Sequence, residues 1–315
     1  MEAGAVRGEG EVSDAPSFGI TTYAYAPQDI LALARHAERL GFEGLWFGEH
    51  YVSPRAYVGH HPSRKETPAD QNDERDKEII GDAVSITDPW FLMGAVSGVA
   101  QRLALGTAIC IVPLLHPLAL ARATITAQQV SRGRFRLGMG AGWLREEFDI
   151  LGVPFEERGG RLDEAIDILK KAWAGGYFSH QGKHFCFSEV QISPDPVTVP
   201  LVCGGNSGPA LRRVARVADA WINSAKITVG EAAGMRETIE RERQARGAAN
   251  RPFEYYVRPH SAAPDDVMAY VREGFRNIVL WGPDVWPIGP EASIEHKIAR
   301  LEAVAQDLGL TPERG

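Results

Sequence analysis

The chain reads as a closed (β/α)8 barrel. Eight short β-rich runs alternate with amphipathic helical patterns almost from end to end, and strict alternation implies a parallel sheet with its helices outside. No G-x-G-x-x-G stands between a strand and a helix; GMGAGW (138–143), the nearest approach, lacks the last glycine. Eight units without a dinucleotide fingerprint favour a barrel over an open doubly wound sheet, which stays as the alternative. The 315 residues suffice for one such domain and a large core.

The elements follow in order. FGITTY (18–23) is β-branched and aromatic, as strands are. In QDILALARHAERLG, Ile30, Leu33, Ala34, Ala37 and Leu40 share a helical face, and Gly41 is a natural stop. GLWFG (44–48), LALGTAICIV (103–112) and RFRLGMG (134–140) are the next β-rich runs and candidate strands. Helical patterns cover 88–99 and 117–130 between them. In GGRLDEAIDILKKAW, Leu162, Ala165, Ile166, Leu169 and Trp173 form the buried stripe, while Asp167 and Lys171 pair on the opposite face. PLVCG (200–204), AWIN (220–223), EYYVR (254–258) and NIVLW (277–281) complete the strands, with helices over 207–217, 230–247, 264–273 and 291–306.

Two segments break the rhythm. Residues 49–87 are too long for an ordinary connection and mix charge with Pro, Gly and His, which suggests a lid or a disordered insertion. They follow the second strand and so emerge at the C-terminal face, where barrel active sites lie. Residues 176–198 look like a hairpin turned at Gln181-Gly182, inserted before strand 5. Residues 1–17 read as a disordered leader with no apolar signal core, so the expected domain is 18–310.

Composition narrows the function. A net charge of −7 offers no basic footprint for nucleic acid and argues against anionic membranes, and no apolar run is long enough to span a bilayer. Three widely spaced cysteines, Cys110, Cys186 and Cys203, suit buried thiols in a cytoplasmic protein better than disulfides. The nine histidines show no metal-ligand spacing, and His60-His61 reads as a loop feature, so no metal is expected.

The strand ends carry the candidate chemistry. Strand 1 ends near Thr22 and Tyr23, and strand 2 ends in Glu49-His50. Strand 3 runs through Thr107-Ala108-Ile109 and leads to His116. Strand 4 ends in Gly140-Ala141-Gly142-Trp143, strand 5 in Gly204-Gly205-Asn206-Ser207, and the others in Asn223, Arg258 and Trp281. The glycine knot after strand 5 is either a turn with a capped helix or an anion site, where backbone N–H groups approach a phosphate at a helix N-terminus. No lysine stands at these ends for a Schiff base, and there is no carboxylate cluster for a divalent metal or a glycosidase. Such a rim suits chemistry borrowed from a cofactor.

GFEGLWFGEH, QRLALGTAICIVPLLHPLALAR, SRGRFRLGMGAGWLREEFDILGVPFEERGGRLDE and PLVCGGNSGPALRRVARVADAWI, in this order, resemble the luciferase-like flavin and deazaflavin oxidoreductases over about 18–285. The resemblance implies a luciferase-like TIM barrel that holds a flavin or deazaflavin ring in its mouth. It implies that Gly204, Gly205, Asn206 and Ser207 cradle the cofactor phosphate, which turns the knot toward the anion reading. It also implies a non-prolyl cis peptide at Ala108–Ile109 against the ring, with Thr107, His116, Ala141 and Gly142 beside the cofactor. His50 matches the active-site histidine of relatives, with Glu49 as its acidic neighbour, and a histidine of ordinary pKa can move a proton as a hydride moves. His116 touches the cofactor edge or caps a helix. Tyr51 and Trp143, with Tyr57 and Trp90, suggest an aromatic pocket for a small organic substrate.

Coenzyme F-420 is favoured, because luciferases carry an arginine where this chain has Ala141 and because LGMGAGW…EEF looks like the deazaflavin branch. The expected reaction is hydride transfer to or from the substrate. Trp143 stands where the sugar-phosphate dehydrogenases of that branch carry an acid, which puts their substrate in doubt. FMN is the alternative, with monooxygenation fed by a partner reductase. A non-catalytic flavin-binding protein and a cofactor-free sugar-phosphate isomerase are the readings from other classes. Relatives also suggest a homodimer.

Overall fold

The computed structural model describes residues 15–22, 27–57, 85–286 and 292–311. The leader up to residue 14, Tyr23, the His60-His61 pair and most of the expected lid lie outside these described residues.

Eight parallel strands close into a ring. They are β1 (Ser17–Thr22), β2 (Gly44–Phe47), β3 (Ala104–Thr107) with its short continuation β4 (Cys110–Ile111), β5 (Phe135–Gly140), β8 (Leu201–Gly204), β9 (Ala220–Ile222), β10 (Glu254–Val257) and β11 (Asn277–Leu280). Each pairs with its neighbour in that order, and β1 pairs with β11 to close the barrel. The helices outside are α1 (Ile30–Leu40), α2 (Pro89–Val99), α3 (Pro117–Val130), α4 (Arg145–Ile150), α5 (Arg158–Trp173), α6 (Gly208–Val217), α7 (Val229–Ala245), α8 (Pro264–Arg272), α9 (Gly282–Val285) and α10 (Ile294–Asp307). All eight predicted strands are present, and α1 stops at Gly41 with φ 89° as the sequence suggests. The antiparallel pair β6 (Tyr177–Gln181) and β7 (Cys186–Gln191) is the expected hairpin, with its tip at 182–185. The short helices α4 and α9 are not predicted by periodicity, being too brief to show one.

Strand periodicity sorts the side chains into two layers. Leu45, Phe47, Leu105, Leu137 and Cys203 point outward into the apolar layer beneath the helices. Trp46, Ala108, Val202, Ala220, Ile222, Tyr256 and Val279 point inward and fill the barrel. Trp46 fits there because two facing residues have no side chain: a Cβ on Gly106 would meet its ring at 2.5 Å, and one on Gly19 would meet Nε1 at 2.8 Å. At the N-terminal end Arg136 pairs with Glu43 at 2.8 Å below Tyr256. A carboxylate also fixes the hairpin: Glu164 of α5 accepts from His184 N and Phe185 N at 2.9 and 2.8 Å, and lies 3.0 Å from His180 Nε2.

Of the three cysteines, Cys110 and Cys203 are buried, but Cys186 opens β7 at the surface, which corrects the expectation that all three are core thiols. An edge hairpin has one solvent face, so apolar neighbours in sequence did not imply burial there.

Candidate functional site

The C-terminal ends of β2, β3, β5 and β8 stand side by side and form one arc of the barrel mouth. In the middle of this arc the Ala108–Ile109 peptide bond is cis. The inward layer holds both of these consecutive residues, Ala108 within it and Ile109 packed against it. The Ile109 side chain lies across two glycines: a Cβ on Gly140 would meet its Cδ1 at 2.5 Å, and one on Gly204 would meet its Cγ2 at 3.0 Å. The small residues of strands 4 and 5 thus let Ile109 lie flat over two strand ends.

One end of the arc is the glycine knot. Gly205 has φ 130°, and a Cβ there would meet Ala210 Cβ at 2.6 Å. Trp221 Nε1 donates to Gly205 O at 2.8 Å, and Ser224 N donates to Asn206 Oδ1 at 3.1 Å, so the loop is held from β9. Ser207 precedes α6 without capping it, and the first turn contains no acidic residue. Among the described residues, the backbone N–H groups of Asn206, Ser207 and Gly208 donate to no partner. Arg212 curls back over this end, its Nη1 3.4 Å from where a Cβ on Gly208 would stand, and it forms no ion pair with a described residue. Its neighbour Arg213 instead binds Asp163 of α5 at 2.7 Å. Free N–H groups, a positive helix end and a cation make a fitting seat for a phosphate.

The other end is His50. Its ring meets Trp143 edge to face at 6.0 Å, and Trp143 in turn packs on Tyr57 at 6.3 Å and beside Trp281. The carboxylate partner of His50 is Glu147, with Oε2 3.1 Å from Nδ1. Glu147 lies fully buried on α4, and its Oε1 also accepts from Tyr51 N at 2.6 Å. The sequence reading missed this residue, although a signal was present: Leu144, Glu147 and Phe148 share one helical face, so the acid sits among residues that must point inward.

Several expected site residues are placed elsewhere. Glu49 does not pair with His50: both lie beyond the end of β2, and His50 bonds to Glu147 while Glu49 bonds to Ile111 N. Its carboxyl is buried in the outer layer, where it accepts from Ile111 N at 2.8 Å and bonds to the Cys110 and Trp90 side chains. Burial raises its pKa above the usual carboxylate range. Tyr51 joins the same buried group, its phenol pushed up by burial and by Glu49, so it belongs with Glu49 and not with the aromatic pocket. Trp90 likewise packs on Phe135 under α2. Thr107 is fully buried and donates to Gly138 O at 2.6 Å, so its hydroxyl is spent between strands. His116 caps α3 through Nδ1, accepting from Leu118 N at 3.3 Å, which is the capping alternative. Gly142 serves the backbone: its φ is 80°, and a Cβ would strike Phe148 at 2.7 Å and Ile111 at 2.8 Å. Ala141 packs against the outer core. Asn223 is fully buried and joins two strand ends, accepting from Arg258 N at 2.7 Å and donating to Arg258 O at 3.1 Å.

A model of the luciferase-like monooxygenase family matches residues 12–311. An uncharacterized protein of Mycobacterium tuberculosis is 26% identical over 295 residues, covering 91% of this chain and 98% of its own. The F420-dependent glucose-6-phosphate dehydrogenase of Beutenbergia cavernae is 30% identical over 204 residues, which are 63% of this chain and 53% of that one. Among solved structures, an F420-dependent secondary alcohol dehydrogenase in complex with an F420–acetone adduct superposes with a TM-score of 0.72 at 14% identity, over 93% of this chain and 99% of that one. The oxygenating constituent of a type II Baeyer–Villiger monooxygenase from Pseudomonas putida, in complex with FMN, gives 0.59 at 17% identity, over 95% and 80%.

Proposed function

We propose a function that starts from a plain premise: this chain belongs to the luciferase-like monooxygenase family. On that premise it is an oxidoreductase that uses coenzyme F-420 to move a hydride to or from a small organic substrate in the barrel mouth. The observation that carries this reading is Ile109, spread over Gly140 and Gly204 between a phosphate seat and a carboxylate-bonded histidine. A flat ring fits against such a surface, and the deazaflavin supplies hydride acceptance and donation when bound.

In this reading the chain's own residues divide the work. The N–H groups of Asn206, Ser207 and Gly208, with Arg212, hold the phosphate. Ile109 supports the ring from behind. His50 gives or takes, at Nε2, the proton that accompanies the hydride. Trp143, Tyr57 and Trp281 exclude water from the substrate side and favour an apolar substrate. The preference for the deazaflavin is supported by Ala141, which offers no cation where the luciferases carry arginine, and by likeness to a dehydrogenase that is F420-dependent. FMN with monooxygenation is the second reading, supported by the likeness to an FMN-loaded oxygenase barrel; it brings in a reductase partner. A homodimer belongs to the proposal as well, supported by Phe91, which is 82% exposed on the uncharged helix α2.

Titration of purified apoprotein with FMN and with coenzyme F-420 side by side tests the proposal. Selective binding of the deazaflavin is expected. Selective binding of FMN would transfer the proposal to the monooxygenase, and binding of neither would refute both.

A further inference from the structure

We infer that Glu147 is a positioning residue that sets the tautomer of His50, so that the imidazole proton resides on Nδ1 and the lone pair on Nε2. The inference rests on the proposed role of His50 only for its catalytic meaning; the tautomer itself follows from the hydrogen bonds.

The argument begins with burial. Glu147 is 0% exposed, and a carboxylate removed from water must be satisfied by donors. Both of its oxygens have one: Tyr51 N donates to Oε1 at 2.6 Å, and His50 Nδ1 lies 3.1 Å from Oε2. An ionised carboxylate only accepts, so the second bond exists only with a hydrogen on Nδ1. A neutral ring then has its lone pair on Nε2, which bonds to no described residue. The two bonds reach residues 50 and 51, consecutive at the end of the second barrel strand, from one side chain on α4. A single carboxylate therefore fixes both the strand end and the ring orientation.

The helix that carries Glu147 is itself held. Gly142, in its left-handed turn, lets Phe148 pack against Ile111, and any side chain at 142 would push into both. Leu144 and Phe148, on either side of Glu147 on the inward face, are fully buried. The tautomer is thus built into the apoprotein and does not await a ligand. When Nε2 takes a proton, the buried carboxylate faces an imidazolium, and when it gives one up the ring returns to a defined acceptor; the second group orienting a catalytic imidazole is a recurrent arrangement.

Long-range proton–nitrogen correlation NMR of protein labelled with 15N-histidine tests this without any cofactor, at a pH where the ring is neutral. The His50 signals are assigned by their loss in His50→Ala. Wild-type protein is expected to show the Nδ1–H pattern. Glu147→Gln can still accept from Tyr51 N but presents an amide N–H to Nδ1, so the pattern is expected to switch to Nε2–H; Glu147→Asp is expected to retain the wild-type pattern. An Nε2–H pattern in wild type, or no switch in folded Glu147→Gln, overturns the inference. Titration of the same Glu147→Gln protein with coenzyme F-420 keeps the two readings apart: unchanged affinity is expected, since Glu147 lies at the opposite end of the arc from the phosphate seat. Failure of wild-type protein to bind any flavin would refute the proposed function and leave the tautomer result in force.

Discussion

Gly205→Ala is the substitution that asks most of the proposed phosphate seat. The new Cβ would start 2.6 Å from Ala210 Cβ, whereas carbon atoms rest at about 3.5–4.0 Å, so the first turn of α6 must retreat by roughly 1 Å. At φ 130° the backbone is also in a region that L-residues rarely occupy, which costs about 1–3 kcal/mol. Both effects fall on the loop whose N–H groups at Asn206, Ser207 and Gly208 donate to no described residue. Donors displaced by that distance would no longer meet a phosphate held by all three, and each charge-assisted bond is worth about 1.5–3 kcal/mol. Loss of a single such bond weakens affinity at least about tenfold, and loss of two by about 10²–10⁴-fold. The control is Gly309→Ala, which also has a left-handed φ, 68°, but open space around its Cβ, just beyond α10. It carries the backbone cost alone. The assay pairs a thermal midpoint with titration by coenzyme F-420 and FMN. Both variants should melt earlier, and only Gly205→Ala should lose cofactor. Should Gly205→Ala bind as wild type does, the phosphate seat is elsewhere and the knot after β8 is a turn. Gly205→Asp, which adds a negative charge at the same place, should bind no cofactor at all.

Four further outcomes are expected. His50→Ala should bind cofactor normally and turn over about 10²–10⁴-fold more slowly, because it removes only the proton-handling group; a fully active variant would return His50 to a structural role. Arg212→Ala should weaken cofactor affinity roughly 10- to 100-fold with no change in thermal midpoint, as read by the same titration, since it withdraws one charge-assisted bond from an exposed site. Glu49→Gln should flatten the pH dependence of stability. The raised pKa of Glu49 means that its contribution is complete below the ordinary value of 4.5 and is lost as pH rises through the raised one, so denaturant midpoints measured from that value to neutrality should fall less in the variant than in wild type. Light scattering during size exclusion should give a dimer, and Phe91→Glu should give a monomer, because it puts a charge on the uncharged outer face of α2.

The fold was legible because alternation of strand and helix is a long-range pattern, repeated eight times, and each repeat corroborates the next. The ends of the arc were legible for a different reason. Gly205 and His50 sit at strand termini, and a barrel sends those termini to one face whatever the side-chain packing. Packing is what the sequence concealed. Glu49 and His50 are adjacent in the chain, so they read as a pair, yet beyond the end of β2 one bonds to Ile111 N in the outer layer and the other to Glu147. Glu147 lies 97 positions from His50, and only the closed ring brings α4 to the end of β2. Thr107 and Gly142, which the resemblance places beside a cofactor, also have structural duties no local window reveals: one bonds across strands and the other makes room for Phe148. Short helices, single hydrogen bonds and the choice of face depend on contacts between distant segments, which no local window contains.

The arrangement also separates two tasks that a smaller site would mix. The proposed phosphate seat lies between β8 and α6 and is braced from β9 and the residues after it, through Trp221 and Ser224. The histidine is built by β2 and braced from α4, through Glu147. Between them stands Ile109, whose side chain lies over Gly140 of β5 and Gly204 of β8. With no hydrogen-bond partner in common, the two ends should respond additively to substitution. The double variant of Arg212→Ala and Glu147→Gln should therefore lose cofactor affinity by the Arg212→Ala factor alone and switch the His50 tautomer as Glu147→Gln does alone. A tautomer that depended on Arg212 would mean that the two ends are coupled through the strands between them, and the division of labour along the arc would have to be abandoned.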